Sequence, residues 1–287
     1  MEFYKLTLII VYLLLLKHTL VICTNLKGPS FYDNYKILWG NSLAKSQARD
    51  VQISLDYSSG AAFQSKSTYG SGFFHLNIKL PGGNSGGVVT AFYLSSVSGN
   101  HHDELDLEFL GNNDGKPKYL QTNVITNGIG NREQRIKLWF DPASKFHSYR
   151  ILWNRFQIVF YIDNYPIRVF KNKHRLGVGF PSQPMQVLAS VWDGDSWATD
   201  GGRTKINWSY APFTAGFRSF GINGCAAKSG SNMKHCNSDK FWWNRQKFWQ
   251  LNSSQQKVYE SIKKKFMTYD YCTDRNRIPN TPPECPQ

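Results

Sequence analysis

An all-β sandwich of antiparallel strands is the architecture this sequence predicts, and three observations carry the expectation. Short runs of β-branched and aromatic residues recur between Gly, Pro, Asn and Asp turn signals. No helical periodicity of any length precedes residue 250. One run, Glu104-Leu105-Asp106-Leu107-Glu108-Phe109, alternates acid and apolar residue, the period of a strand with one buried and one open face.

In chain order, Phe31 to Trp39 and Val51 to Leu55 read as strands joined by the polar stretch Gly40 to Asp50. Ala62 to Lys66 and Phe73 to Leu80 continue the pattern, the second closed by Pro81-Gly82-Gly83. Val88 to Ser95 is an apolar strand, and Ser96 to Asn100 turns the chain into the acidic one. Tyr119 to Thr126, Gln134 to Phe140, Phe146 to Trp153, Gln157 to Ile162, Tyr165 to Lys171 and Met185 to Trp192 follow. The character then changes. Ser253 with Gln256 forms a predicted capping box, and Val258, Tyr259, Ile262, Phe266 and Tyr269 recur at helical steps. Lys263 to Lys265 fall in the latter half of that helix, where cations complement its dipole. A lid packed on the sheet is the expected role.

The first residues stand apart. Leu6 to Cys23 is apolar except for Lys17, His18 and Thr19, and Lys5 precedes it. This is the pattern of a secretory signal over residues 1–23, since Lys17 leaves too short an apolar core for a comfortable span. A signal anchor is the rival. The mature chain is expected to be soluble and exported, with no membrane contact after cleavage. Cys225, Cys236, Cys272 and Cys285 then remain, an even count that fits two disulfides with three possible pairings. The local pairing, Cys225–Cys236 with Cys272–Cys285, closes two short loops. A zinc site competes poorly, because no pair has the two-residue spacing of a zinc knuckle.

The 287 residues carry 34 Lys and Arg against 20 Asp and Glu, a net charge of +14. Losing Glu2, Lys5 and Lys17 with the signal lowers it by one. In an exported protein this excess suits adhesion to an acidic polysaccharide. Nucleic acid is not expected, because the basic residues are dispersed and the chain is exported. The aromatic content of 15% suits either a large sandwich core or a sugar-binding cleft.

Glu104, Asp106 and Glu108 point to one face and Leu105 and Leu107 to the other. Three like charges in line repel, so a merely solvated strand is a poor account of them. Two glutamates flanking an aspartate suit glycoside hydrolysis with retention, which needs carboxyl groups about 5–5.5 Å apart. The Cα atoms of Glu104 and Glu108 lie roughly 13 Å apart on a strand, and two long side chains can close much of that gap. Mutual repulsion leaves one acid ionised and another protonated. Which glutamate attacks stays open from the residues alone. Calcium prefers carboxylates in a loop with a turn glycine, so no metal is expected here, nor any cofactor.

His102-Asp103-Glu104-Leu105-Asp106-Leu107-Glu108-Phe109-Leu110-Gly111-Asn112 resembles the active-site signature of the plant xyloglucan endotransglucosylase/hydrolases, within glycoside hydrolase family sixteen. The resemblance runs from about Phe31 to Cys285. It takes in Phe63-Gln64-Ser65-Lys66, Leu120-Gln121-Thr122-Asn123-Val124, Gly130-Asn131-Arg132-Glu133-Gln134-Arg135, Trp197-Ala198-Thr199 and Tyr271-Cys272-Thr273-Asp274-Arg275. It implies a β-jelly-roll catalytic domain over residues 24–222 and, over 223–287, an extension with the helix and the two local disulfides that crosses the acceptor end of a cleft. It also implies Glu104 as nucleophile, Glu108 as acid/base and Asp106 as their helper. Gln121, Asn123, Asn131, Arg132, Glu133, Ser196, Trp197, Gly201 and Arg277 fall where the family contacts xyloglucan, with Arg275 a near neighbour of the last. A sequon common in relatives after the catalytic strand is absent at Asn112-Asn113-Asp114; sequons stand instead at Asn207 and Asn252.

The expected activity is therefore a wall enzyme of the apoplast that cuts xyloglucan and passes the donor half to another chain, other β-glucans being further candidate partners. A xyloglucan endo-hydrolase, a mixed-linkage glucanase and a non-catalytic wall-binding lectin are the alternatives. No loop insertion of the kind that marks the hydrolytic branch is evident, and the three acids disfavour the lectin.

Overall fold

Leu105, Leu107 and Phe109 are buried to within 1% of complete, and the sandwich is assembled around that inward row. Each fully buried leucine contributes about 2 kcal/mol of transfer free energy. The structure, a computed structural model, describes residues 28–96, 99–228, 230 and 232–285. The predicted signal lies outside the described residues. Among the described residues no helix is long and apolar enough to cross a membrane.

Among the described residues sixteen strands, numbered in chain order, form two antiparallel sheets of eight. Across the front sheet run β1 (Tyr35–Trp39), β4 (Ala61–Ser65), β13 (Gln186–Asp193), β6 (Val88–Ser95), β7 (Glu104–Leu110), β8 (Tyr119–Ile125), β9 (Gln134–Lys137) and β16 (Met267–Asp270). The back sheet holds β12 (Tyr165–Lys171), β11 (Gln157–Ile162), β10 (His147–Trp153), β5 (Tyr69–Lys79), β14 (Phe213–Arg218), β3 (Asp50–Leu55) and β2 (Ala44–Gln47), with β15 (Asn223–Ala226) also pairing to β5. Their inner faces meet in one core, where Phe109 of the front stands edge-on to Tyr149 of the back at 4.5 Å. The acidic strand is thus interior to its sheet, with three strands on one side and four on the other.

The C-terminal segment joins both sheets. Trp242, Trp243, Phe248 and Leu251 cover Phe73, Leu152, Val159 and Tyr161 on the outer side of the back sheet. The helix Ser253–Phe266 lies against β12, and β16 then extends the front sheet beyond β9. Cys225–Cys236 and Cys272–Cys285 are bonded, the local pairing. Cys225 and Cys236, bound to one another, are not available as thiolate ligands.

Several boundaries differ from the sequence expectation for identifiable reasons. Phe31–Asn34 is one helical turn rather than strand, because the Ser30 N–H donates to the Asp33 carboxylate at 2.8 Å and Phe31 packs on Tyr35, Phe63 and Phe220. The polar stretch before Asp50 contains β2, an edge strand whose Lys45 and Gln47 are exposed, as sheet edges favour. The helix is capped one residue earlier than predicted. Asn252 accepts from the Gln255 N–H at 2.9 Å and Gln255 returns the bond at 3.1 Å, asparagine being as good a cap as serine. The helix ends at Phe266, so Tyr269 belongs to β16 and not to the apolar stripe.

Candidate active site

The acidic strand is fixed at its start by Asp103, whose buried carboxylate accepts the backbone N–H groups of Asn127, Ser182 and Gln183 at 2.8, 2.6 and 2.9 Å. From there β7 pairs with β6 and β8 in register, and opposed residues share a face. Asp106 stands between Tyr93 and Asn123, and Glu108 between Ala91 and Gln121. Followed across the sheet, the Glu108 row reads Trp39, Ala62, Ser190, Ala91, Glu108, Gln121, Arg135, Tyr269, one residue from each strand. Strand spacing makes that row on the order of 30 Å long, room for several sugars laid across the strands. Its two ends are aromatic.

The three acids are not equivalent. Asp106 is 6% exposed, and Glu104 and Glu108 are half-buried. Burial, then the charges of Glu104 and Glu108, hold the Asp106 carboxyl well above the usual carboxylate range, and its hydrogen bond with Glu104 adds to the effect. Asp106 is therefore the protonated partner and donates to Glu104. Glu108 is pushed up to about 7, first by burial and then by Glu104 and Glu133. Gln121 opposes that rise by donating from Nε2 to Glu108 Oε2 at 3.1 Å. Arg135 in turn holds Gln121 Oε1 from Nη2 at 2.8 Å and from Nε at 3.3 Å, which fixes the amide's orientation. Behind the sheet, fully buried Arg168 reaches from β12 to the Thr122 carbonyl and hydroxyl at 2.8 and 2.9 Å and to the Arg132 carbonyl at 2.6 Å. It pins β8 from below and its charge favours the ionised form of Asp106.

The other expected binding residues fall into groups. Gln121, Asn123 and Glu133 lie beside β7 on β8 and at the start of β9, and the Asn123 oxygen is taken by the N–H groups of Val124 and Arg132 at 2.9 and 3.2 Å. Arg277 gathers a second group: it donates to Glu133 at 2.8 and 3.2 Å, to Asn131 at 2.6 Å and to the Tyr269 hydroxyl at 3.1 Å. Trp197 stands near Trp192 at 6.1 Å, over Val89, Leu110 and Ala198, and Ser196 precedes it exposed. Gly201, with Leu110, Asn112, Tyr119, Arg135 and Tyr269, lines a groove of about 410 Å³ past the Glu108 end of β7. Arg132 is placed elsewhere. Its Nε is bonded to Glu284 at 2.7 Å and its Nη1 to Val124, Ile129 and Thr126, so the side chain ties the tail to the β8–β9 turn.

Arg135, Tyr269, Tyr93 and Trp39 were not singled out by sequence. Arg135 was within reach, because alternation from Glu133 puts both on one face; the others need the sheet register. Tyr93 is pushed to about 12 by burial and by Glu104 and Asp106, which keeps its hydroxyl protonated beside them. Asn207 and Asn252 of the two sequons are exposed, each accepting bonds within its own turn.

Comparison with known proteins identifies the family. The model of glycosyl hydrolases family 16 matches residues 31–210, and that of the xyloglucan endo-transglycosylase C-terminus matches 236–285. The chain is 53% identical over 262 residues to xyloglucan endotransglucosylase/hydrolase protein 3 of Arabidopsis thaliana, covering 90% of this chain and 89% of that one. It is 51% identical to a probable xyloglucan endotransglucosylase/hydrolase protein of Nicotiana tabacum, covering 89% and 88%. Among solved structures, a Bacillus licheniformis beta-glucanase superposes with a TM-score of 0.54 at 24% identity, covering 64% of this chain and 89% of its own. A prokaryotic beta-1,3-1,4-glucanase from a mouse hindgut metagenome gives 0.54 at 23%, covering 67% and 94%. These two likenesses concern the fold, a jelly-roll.

Proposed function

Because the chain belongs to the xyloglucan endotransglucosylase/hydrolases of glycosyl hydrolases family 16, we propose that it cuts the β-1,4-glucan backbone of xyloglucan and transfers the donor half to a second glucan chain. The reading that residues 24–222 form the catalytic jelly-roll and 223–287 its extension goes with this, as does action in the plant cell wall after export.

What supports the mechanism is the placement of three carboxyls along β7, with buried Asp106 between half-buried Glu104 and Glu108. Asp106, whose carboxyl is held well above the usual carboxylate range by burial, donates to Glu104 and steadies that side chain. Glu104 attacks the anomeric carbon as the glycosidic C–O bond breaks, and Glu108, carrying a proton near neutrality, gives it to the leaving 4-oxygen. The donor half is then an ester on Glu104. Glu108, now ionised, takes the proton of an incoming 4-hydroxyl, whose oxygen displaces Glu104. Acid/base assistance of this kind is worth about 10²–10⁴ in rate. Sugar competes with water if the acceptor is held in place, an effect of several kcal/mol for well-oriented reactants. The groove beside Arg135, Gly201 and Tyr269 supports that reading, because it adjoins Glu108 and is lined by both hydrogen-bonding and flat apolar groups.

The test mixes labelled xyloglucan oligosaccharide with unlabelled polymer. Label is expected to enter the polymer with little gain of reducing ends, and Glu104→Ala to abolish both while retaining binding. Release of reducing ends without incorporation of label would favour the hydrolase and overturn transfer.

A further inference from the structure

The two outer faces of the sandwich differ in charge. The front sheet carries three acids on β7 alone, Glu104, Asp106 and Glu108, whereas β2, β3, β5, β10 and β14 of the back sheet contain one acid between them, Asp50. Register puts Lys45, His75, Lys79, Arg150 and Arg218 on the outer side of those strands, away from the core row of Phe74, Leu76 and Ile78. Arg49 joins them from the β2–β3 turn. At the edge of this face lies a hollow of about 370 Å³ whose lining includes Pro29, Arg49, His75, Arg218, Ser219 and Gly221.

The hollow is built rather than incidental. Arg218 donates to Asp50 at 2.8 and 2.5 Å, and its guanidinium lies 4.0 Å above the Phe146 ring, so the fork is held in place. Asp50 offsets that one charge. Arg49 is exposed and forms no ion pair among the described residues. His75 Nδ1 is buried without a hydrogen-bond partner, beside its register neighbour Arg150. An open cation and a fixed guanidinium beside one hollow together call for a small anionic group with oxygens to share.

We propose that this hollow, with the basic strip running from it along the back sheet, binds the carboxylates of an acidic polysaccharide, a polyuronate. The enzyme would then hold a neutral glucan in its front cleft and anchor to a charged glycan behind. A guanidinium answers a carboxylate with paired, charge-assisted bonds. Carboxylates repeating along one chain engage Arg49, Arg150 and Lys79 together, so weak exposed contacts add up. Single-stranded nucleic acid fits less well: it needs flat faces for its bases, and Phe146 lies under Arg218 while Phe73 and Tyr161 lie in the apolar cluster with the C-terminal segment. The proposal is independent of the xyloglucan reading, since binding is measured without turnover.

Retention of the full-length protein on polygalacturonate at low salt tests it. Arg49→Gln with Arg218→Gln is expected to weaken binding about tenfold and leave xyloglucan transfer unchanged. Should the double variant fail to fold, Arg49→Gln alone, an exposed turn position, is expected to lose about threefold with unaltered thermal unfolding. Lys263→Gln with Lys264→Gln and Lys265→Gln removes more charge elsewhere and is expected to matter little. Equal loss from that triple variant, no loss from Arg49→Gln, equal binding to the fully methyl-esterified polymer, or equal affinity for a single-stranded oligonucleotide would each overturn the assignment.

Discussion

Asp106 lies between two glutamates with almost no access to water, and like charges about 5 Å apart repel by about 3 kcal/mol at an effective dielectric near 20. Its proton therefore stays, while Glu108 is poised near 7. This has a consequence for folding as well as for rate. Glu108 binds its proton more tightly when folded, at about 7 against an ordinary 4.5, so across that interval the folded chain carries more protons than the unfolded one. Its contribution to stability is therefore fullest below the lower value and declines as pH rises through the higher. Glu108→Gln cannot ionise, so its melting temperature relative to wild type should rise between about pH 5 and about pH 8. Transfer should fall about 10²–10⁴-fold at the same time. Thermal unfolding of both proteins at the two pH values decides it, and a constant difference would refute the shift. The alternation of acids and leucines was enough to place these carboxylates on one face. It could not show that Gln121 and Arg135, from two further strands, lie in line with Glu108, because spacing along a chain does not reveal which strands become neighbours.

At the scale of elements, the long apolar strands were legible and the polar or very short ones were not. Val88–Ser95, Gln157–Ile162 and Tyr165–Lys171 were found with their ends correct, since turn residues bound them and their inward residues are apolar. β2 hides in a polar edge, β14 is weakened by Gly216, and β16 follows the helix with no break, so Tyr269 falls in step with the helical stripe. The local disulfide pairing is legible in the sequence, but not that the two bonds lie in separate apolar clusters. Cys225–Cys236 lies in the apolar cluster behind the back sheet; Cys272–Cys285 closes the segment that carries Arg277 and follows Tyr269. Removing either by Cys→Ser changes should cost about 3 kcal/mol in denaturant unfolding, from loop-closure entropy in the unfolded chain. The effects on turnover should differ. Loss of Cys272–Cys285 should raise the acceptor KM severalfold with kcat little changed, because Arg277 then no longer holds Asn131, Glu133 and Tyr269 together. Loss of Cys225–Cys236 should leave acceptor KM as it is. Equal acceptor KM values in the two variants would show that the tail does not shape the groove.

For the whole molecule, the division into a sandwich and an extension describes the order of the chain better than the way it is held together. Residues past Ile222 supply β15 to the back sheet and β16 to the front, cover Leu152, Val159 and Tyr161, and fasten Arg132 through Glu284. A chain ending at Ile222 would leave β9 as an unpaired edge and open a contiguous apolar patch, both routes to aggregation. It would also leave Arg132 without its carboxylate, and Arg132 and Arg168 together set the position of β8 beside the acidic strand. Folding should therefore be one cooperative event for full-length protein, with a single calorimetric transition whose van't Hoff and calorimetric enthalpies agree. The truncated chain should aggregate, or melt more than 10 °C lower, a shift of at least about 3 kcal/mol for a protein of this size. If instead residues 24–222 give a soluble monomer with the full-length melting temperature, the extension is an appendage, and the coupling of tail, β8 and Glu108 fails with it.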